Sequence, residues 1–420
     1  MSTAQASEEG PRRAEAIHDF SGKLRQPGMW PKVVDYLNWQ RSRRQAQAVG
    51  SGEPALPDLA PLSINLDLTT ACNYACDHCI DWDILNSKVR YDDDQLRASM
   101  SQLARRGMRS VILIGGGEPT LYPGFAPFVE YLKTLGLQVA IVSNGSRNDR
   151  ILAAAPFLDR GDWVRLSLDS ASDEVFRTMH KPSRQSLSLD EICSWVPKIK
   201  AANPDLLVGF SFVITWKGSQ RDDQKVIENL HEMVAAAERA RAAGFDYISF
   251  KPFLERSETG SEVMDPDKIE DGQDDIVARI RANVNEARQR CEGQGFRVLE
   301  STNLRVLEQG NWRDFTVQPQ VCHMQVLRQV VTPGGLFNCP AHRGVDKAKI
   351  DGKEAYSSDE AARNSSACTA DILSTFDASK ECSGVTCLYH GVNWFLEDLI
   401  AADSDLEELQ TATDSTDFFL

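Results

Sequence analysis

Between residues 62 and 255, short apolar or alternating runs take turns with segments whose apolar positions recur every three or four residues. The alternating run Ser63-Ile64-Asn65-Leu66-Asp67-Leu68 opens the series as a strand. Further strands are predicted at 110–114, 138–143, 163–168, 207–214 and 247–253. Helices fall between them. The one with Leu96, Met100, Leu103 and Ala104 on its apolar stripe starts at an Asp-rich cap and stops at Gly107. Six strand–helix units predict an α/β fold, a parallel sheet curled into a partial (β/α)6 barrel.

The pattern changes outside this region. Residues 1–15 are polar and expected to be disordered, and Pro31 opens a helix carrying Val33, Val34 and Leu37. The Gly- and Pro-rich stretch 50–61 reads as a linker, so 1–61 is set apart as an N-terminal helical extension. Residues 256–310 hold a charged surface loop and a connecting helix with Ile276, Ile280, Val284 and Ala287 at helical spacing. Short strands, loops and cysteines follow over 311–402, a small α+β domain, and 403–420 form an acidic tail.

Composition narrows the function. With 420 residues, 42% hydrophobic and 25% charged, the chain can bury a substantial core. A net charge of -15 with no dense basic patch argues against nucleic acid. No signal-like apolar region and no membrane-length run are found, so the expected location is the cytoplasm, away from membranes. Ten cysteines in such a chain are expected as thiols, and clustered ones as metal ligands.

Cys72-Asn-Tyr-Ala-Cys76-Asp-His-Cys79 follows the first strand, where α/β barrels gather their sites. Three thiolates are one fewer than an iron–sulfur cubane normally takes, which leaves one iron open to a cofactor. The plain alternative is a zinc site with His78 as a fourth ligand. The second strand runs into Gly115-Gly116-Gly117-Glu118, a turn that lets backbone approach a ligand and offers a carboxylate to a cation.

The C-x-x-x-C-x-x-C motif after a first strand resembles that of the radical S-adenosylmethionine (radical SAM) superfamily, over about residues 62–253. The resemblance implies a 4Fe–4S cluster on Cys72, Cys76 and Cys79, with Gly115, Gly116, Gly117 and Glu118 receiving the methionyl ammonium. It also implies that Ser143, Ser167 and Asp169, at strand ends, contact the ribose and methionyl groups; His78 stands where family members often have an aromatic near the adenine.

A second group, Cys322, Cys339, Cys382 and Cys387, resembles the SPASM and twitch auxiliary-cluster extensions, in which a hairpin joins the first two cysteines. Residues 325–331 and 336–339 are the strands expected of it, turning at Pro333-Gly334-Gly335. Four thiolates suffice for one further 4Fe–4S cluster, or for structural zinc. Cys368, in a Ser-rich stretch read as a loop, is left over. Cys193 and Cys291 lie on apolar helical stripes and read as core.

The resemblance implies reductive cleavage of S-adenosylmethionine to a 5'-deoxyadenosyl radical that takes hydrogen from a small-molecule or peptide substrate. A net oxidation by a radical SAM oxidoreductase, fed by a flavodoxin- or ferredoxin-like donor, is expected. Peptide maturation and epimerisation, with Cys368 as hydrogen donor, are the alternatives within the superfamily. A non-catalytic iron–sulfur protein, carrying electrons or sensing redox state, is the alternative outside it. Asn65, Asp67, Arg165, His180 and Lys251 stand undifferentiated as proton acceptors, with His180 and Lys181 read as a surface turn.

Overall fold

The computed structural model describes residues 18–420 apart from 265, 267, 268, 270, 271, 403 and 416. The disorder expected over residues 1–15 lies outside them. Ten strands form one sheet: β1 (Ser63–Leu66), β2 (Ser110–Leu113), β3 (Gln138–Ser143), β4 (Trp163–Ser167), β5 (Leu207–Ile214), β6 (Tyr247–Pro252), β7 (Arg297–Glu300), β8 (Arg328–Thr332), β9 (Gly335–Phe337) and β10 (Lys349–Asp351). Their order across the sheet is β7-β6-β5-β4-β3-β2-β1-β8-β9-β10. Neighbours from β7 to β8 run parallel, and β8-β9-β10 close antiparallel.

Alternation along the strands separates wall from lumen. Ile64, Leu66, Val111, Leu113, Val164, Leu166, Phe210 and Phe212 belong to the main core under the helices. The intervening positions, among them Asn65, Asp67, Arg165 and Ser211, face the other side. Helix α1 (Asp93–Arg105) follows the sequence pattern closely: Asp92 caps it by accepting from the N–H groups of Asp94 and Gln95, and Leu96, Met100 and Leu103 are buried.

The structure departs from the sequence reading at three places. Strand β7, inside the stretch read as loop and connecting helix, adds a further parallel strand beside β6. Residues 324–327 are a turn of helix, and the strand begins only at Arg328. Most consequentially, β8 pairs in parallel with β1, Ser63 opposite Arg328 through Leu66 opposite Val331, so the cysteine-rich part continues the barrel sheet.

The helix Trp30–Val49 packs on the C-terminal helices in a second core that includes Trp30, Val33, Leu37, Leu396 and Ile400. Residues 417–420, read as part of an acidic tail, turn back under the barrel. Phe419 packs with Ile112 and Ala140 and meets Trp163 edge-on at 5.5 Å. The Phe418 carbonyl accepts from the Ser110 hydroxyl at 2.8 Å, and its N–H donates to Gln138 Oε1 at 2.8 Å. No helix among the described residues is long and apolar enough to cross a membrane. Replacing Phe419 by Ala removes the ring that fills the base of the lumen, and a loss of about 3 kcal/mol in stability is expected by urea unfolding.

Candidate functional site

The loop after β1 is pinned from several sides. Ala75 and Asp77 donate N–H groups to the carbonyls of His180 and Met179 (3.1 and 2.9 Å), and Arg221 donates to the Cys76 carbonyl (2.9 Å). Glu118 N–H reaches the Ala71 carbonyl at 2.8 Å. These contacts hold Cys72, Cys76 and Cys79 on one loop at the C-terminal mouth of the barrel, close enough for the charges of Cys72 and Cys79 to act on Cys76 and that of Cys72 on Cys79.

The Gly loop touches that first loop. A methyl group on Gly117 would run into the carbonyl oxygens of Thr69 and Ala71, and one on Gly115, whose φ is +118°, into the Asp67 carboxylate. The Glu118 carboxylate is buried and well satisfied. Oε1 accepts from Thr120 N–H (3.0 Å), Thr120 Oγ1 (2.5 Å) and Ser143 Oγ (2.8 Å), and Oε2 from Asn144 N–H (2.7 Å). Burial raises its pKa, and these four donors pull it back. Glu118 and Ser143 thus fasten the ends of β2 and β3 to each other.

Asp169 adopts φ +51° just past β4 and gathers three donors. Oδ1 accepts from Val213 N–H at 2.6 Å, and Oδ2 from Nε2 of His78 (3.0 Å) and of His180 (3.3 Å). Burial alone would raise its pKa, but the bonds from His180 and His78 more than offset this and hold it well below the usual carboxylate range. His180 is the main correction to the sequence reading here. It is buried, its Nε2 also meets the Leu168 carbonyl (3.0 Å), and its Nδ1 stands 3.2 Å from Cys76 Sγ. An MHKPS stretch looks like a turn because Lys181 does end the helix in the left-handed region, with φ +45°. Ser167 lies on the lumen face of β4 with Arg165.

Cys322, Cys339, Cys382 and Cys387 line one cavity of about 130 Å³. The helical turn at 324–327 explains the late start of β8: the N–H groups of Met324 and Gln325 point at the Cys322 sulfur. Those of Ala341 and His342 do the same for Cys339, and that of His390 for Cys387. Burial pushes Cys79 and Cys322 up to about 12 and raises the other five thiols of the two groups as well. Such thiols stay protonated and inert unless a metal cation replaces the proton, which is what a cluster would do.

Donor spacing bears on which metal fits. Among the described residues, the set of three donors lying within 4.8 Å of one another is Cys76, His78 and His180. The four C-terminal sulfurs are spread more widely than that, whereas tetrahedral zinc with 2.3 Å bonds needs sulfurs about 3.8 Å apart. Cys368 does not line this cavity. It sits on the helix Asp359–Thr375, not in a loop, with Asp351 and Asp371 as its charged neighbours.

A cavity of about 540 Å³ lies between the two cysteine groups. His78 and Ile80 of the first loop, and Arg165, Ser249 and Lys251 of the barrel, line it. It shares Leu254, Glu262, Asn303 and Leu388 with the second cysteine cavity. Of the sequence candidates for proton transfer, Asn65 is engaged by Arg328 (2.7 Å) and Asp67 by Arg343 (3.5 Å), while Arg165 and Lys251 face this cavity. Glu262, from the charged loop, was missed because nothing in its local sequence signals burial.

The model of the radical SAM superfamily matches residues 66–230. This part of the chain belongs to the radical SAM superfamily. Its cofactors are therefore a 4Fe–4S cluster and S-adenosylmethionine, and the site described above holds thiols and a glycine-rich loop suited to them. Similar curated proteins include an S-adenosylmethionine-dependent nucleotide dehydratase of Selenomonas ruminantium, 27% identical over 38% of this chain and 58% of its own length. Another is the mycofactocin maturase MftC of Mycobacterium ulcerans, 36% identical over 28% of this chain and 31% of its own. The chain thus matches less than two thirds of these relatives. Streptococcus suis SuiB bound to S-adenosylmethionine shares the fold at a TM-score of 0.52 and 15% identity, covering 72% of this chain and 64% of SuiB.

Asp169→Asn in this radical SAM domain removes a charged acceptor from under two imidazoles and is expected to cost about 1–3 kcal/mol near neutral pH. A depressed folded pKa means that the carboxylate's contribution is present above about pH 4 and is lost as pH falls below it. The gap between wild type and variant should narrow there, as read by urea unfolding of metal-free protein.

Proposed function

We propose that Cys72, Cys76 and Cys79 hold the 4Fe–4S cluster, that Cys322, Cys339, Cys382 and Cys387 hold a second one, and that an organic substrate is oxidised between them. The observation that carries this reading is the cavity of about 540 Å³, walled by His78 and Ile80 on one side and sharing Leu254, Glu262, Asn303 and Leu388 with the second cysteine cavity. Its size falls within the usual range for a small-molecule pocket. When bound, the reduced cluster and S-adenosylmethionine supply a 5'-deoxyadenosyl radical that takes a hydrogen atom from carbon.

The chain's own residues position and enclose. Gly115, Gly116 and Gly117 bring backbone close to the methionyl group, and Glu118 and Ser143 keep that loop in place. Ser167 and Asp169 line the same mouth, and Asp169 fixes the His78 ring, whose Nδ1 is buried without a partner and is free to accept a hydrogen bond from the nucleoside. Phe20, Phe253 and Leu254 give the cavity apolar walls that keep water from a reactive radical. Four protein thiols leave the second cluster no open position for substrate, so accepting an electron is the role it can fill. That favours a net oxidation over a rearrangement, with a small flavodoxin- or ferredoxin-like protein as the external donor. Cys368, away from both cavities, is a poor hydrogen donor for epimerisation. SuiB has been captured with its precursor peptide SuiA, and a peptide remains the second substrate class.

Anaerobic reconstitution should give about eight irons per wild-type chain and about four after Cys72→Ala, Cys76→Ala and Cys79→Ala together, with formation of 5'-deoxyadenosine abolished. In Cys339→Ala/Cys387→Ala, about four irons should remain, and 5'-deoxyadenosine should still form. The trio Cys76, His78 and His180, with Asp169 behind both rings, is also a fair mononuclear site. One zinc per chain without sulfide would select that reading and sink the first.

A further inference from the structure

Two basic side chains face the central cavity without an ion pair. Arg165 and Lys251 are walled in by the barrel and meet solvent only across the space they line. Among the described residues, neither has an ion pair or a side-chain hydrogen bond. They are close enough that Arg165 lowers the pKa of Lys251, after burial itself, which is the larger cause. Asp169 is the anion whose charge supports both, one carboxylate for two basic groups, and it pairs with neither. Asp169 takes hydrogen bonds from His78, His180 and Val213, and Glu300 pairs with Arg288 at 2.5 Å. Glu262 is raised to about 7 by burial and by Asp81, against the pull of Arg343 and Arg256. Burial and Arg165 disfavour the charge of Lys251 in the empty cavity, and an anion arriving with a ligand would favour that charge and pair with it.

S-adenosylmethionine brings one anionic group, its carboxylate, together with a sulfonium and an ammonium. Arg165, two residues before Ser167 on the same face of β4, is the cation beside the seat proposed for that molecule. Lys251, on β6 beside Ser249, is left over. Resting on the proposed function, we infer that Lys251 binds an oxyanion, a carboxylate or a phosphate, carried by the substrate. The substrate is thus an acid whose charged group anchors it at β6 while its reacting carbon lies toward the first cysteine loop.

The anaerobically reconstituted full chain, saturated with S-adenosylmethionine at constant ionic strength, is titrated calorimetrically with succinate and, separately, with inorganic pyrophosphate. At least one should bind, and which one separates a carboxylate substrate from a phosphorylated one. Lys251→Met should weaken that binding about tenfold or more, and Lys251→Arg much less. Without probe, Lys251→Met should melt no lower than wild type, because an enclosed polar group without a hydrogen-bond partner has been removed. Failure of both probes to bind, equal binding by Lys251→Met, or a lower melting temperature for that variant would each overturn the inference. Formation of 5'-deoxyadenosine by wild type with reductant alone tests the underlying reading separately: if it forms while no probe binds, only the oxyanion site is lost.

Discussion

The parallel pairing of β8 with β1 is the constraint on which the rest of the site depends. It fixes the cysteine-rich segment to the strand that also launches the first cysteine loop, in a register that neither can slip without exposing its buried face. Arg328 on β8 then reaches Asn65 on β1, and Arg343, four residues beyond Cys339, meets Asp81 at 2.6 Å, two residues beyond Cys79. Each arginine ties a residue of one cysteine group's surroundings to the other's. The two cysteine groups are therefore held in place relative to each other by sheet hydrogen bonds and buried ion pairs, and the cavity of about 540 Å³ adjoins both.

Local chemistry explains how the thiols are prepared within that frame. Helical turns follow Cys322, Cys339 and Cys387 and aim N–H groups at sulfur, which favours the thiolate, while burial opposes it. The balance leaves each thiol neutral until a metal is present, so the sites are shaped for ligation without being reactive beforehand. On the barrel side, Asp169 does comparable work for two imidazoles and Glu118 for the turn that follows the glycines.

Much of this was legible in the sequence because it is local. The spacing of Cys72, Cys76 and Cys79, the glycine run at 115–117 and the alternation in each barrel strand depend on neighbours a few residues apart. What escaped depends on contacts far along the chain. The short Arg297–Glu300 strand carries too few residues to show a period, and Lys251 could not be told from the four other strand-end candidates until the barrel enclosed it. His180 read as surface because its neighbours Lys181 and Pro182 are turn residues; its burial comes from Asp169 and Cys76, which the turn does not reveal. Phe419 sat in an acidic tail, and the bonds of the neighbouring Phe418 backbone with Ser110 and Gln138 draw it inward.

The union of β8 with β1 also sets an order of events during synthesis. Until β8 has left the ribosome, β1 carries one bare edge, and the barrel is held open beside the loop that bears Cys72, Cys76 and Cys79. Contacts so distant in sequence form slowly. The nascent barrel therefore has a period in which the loop bearing Cys72, Cys76 and Cys79 stands beside an unpaired strand edge.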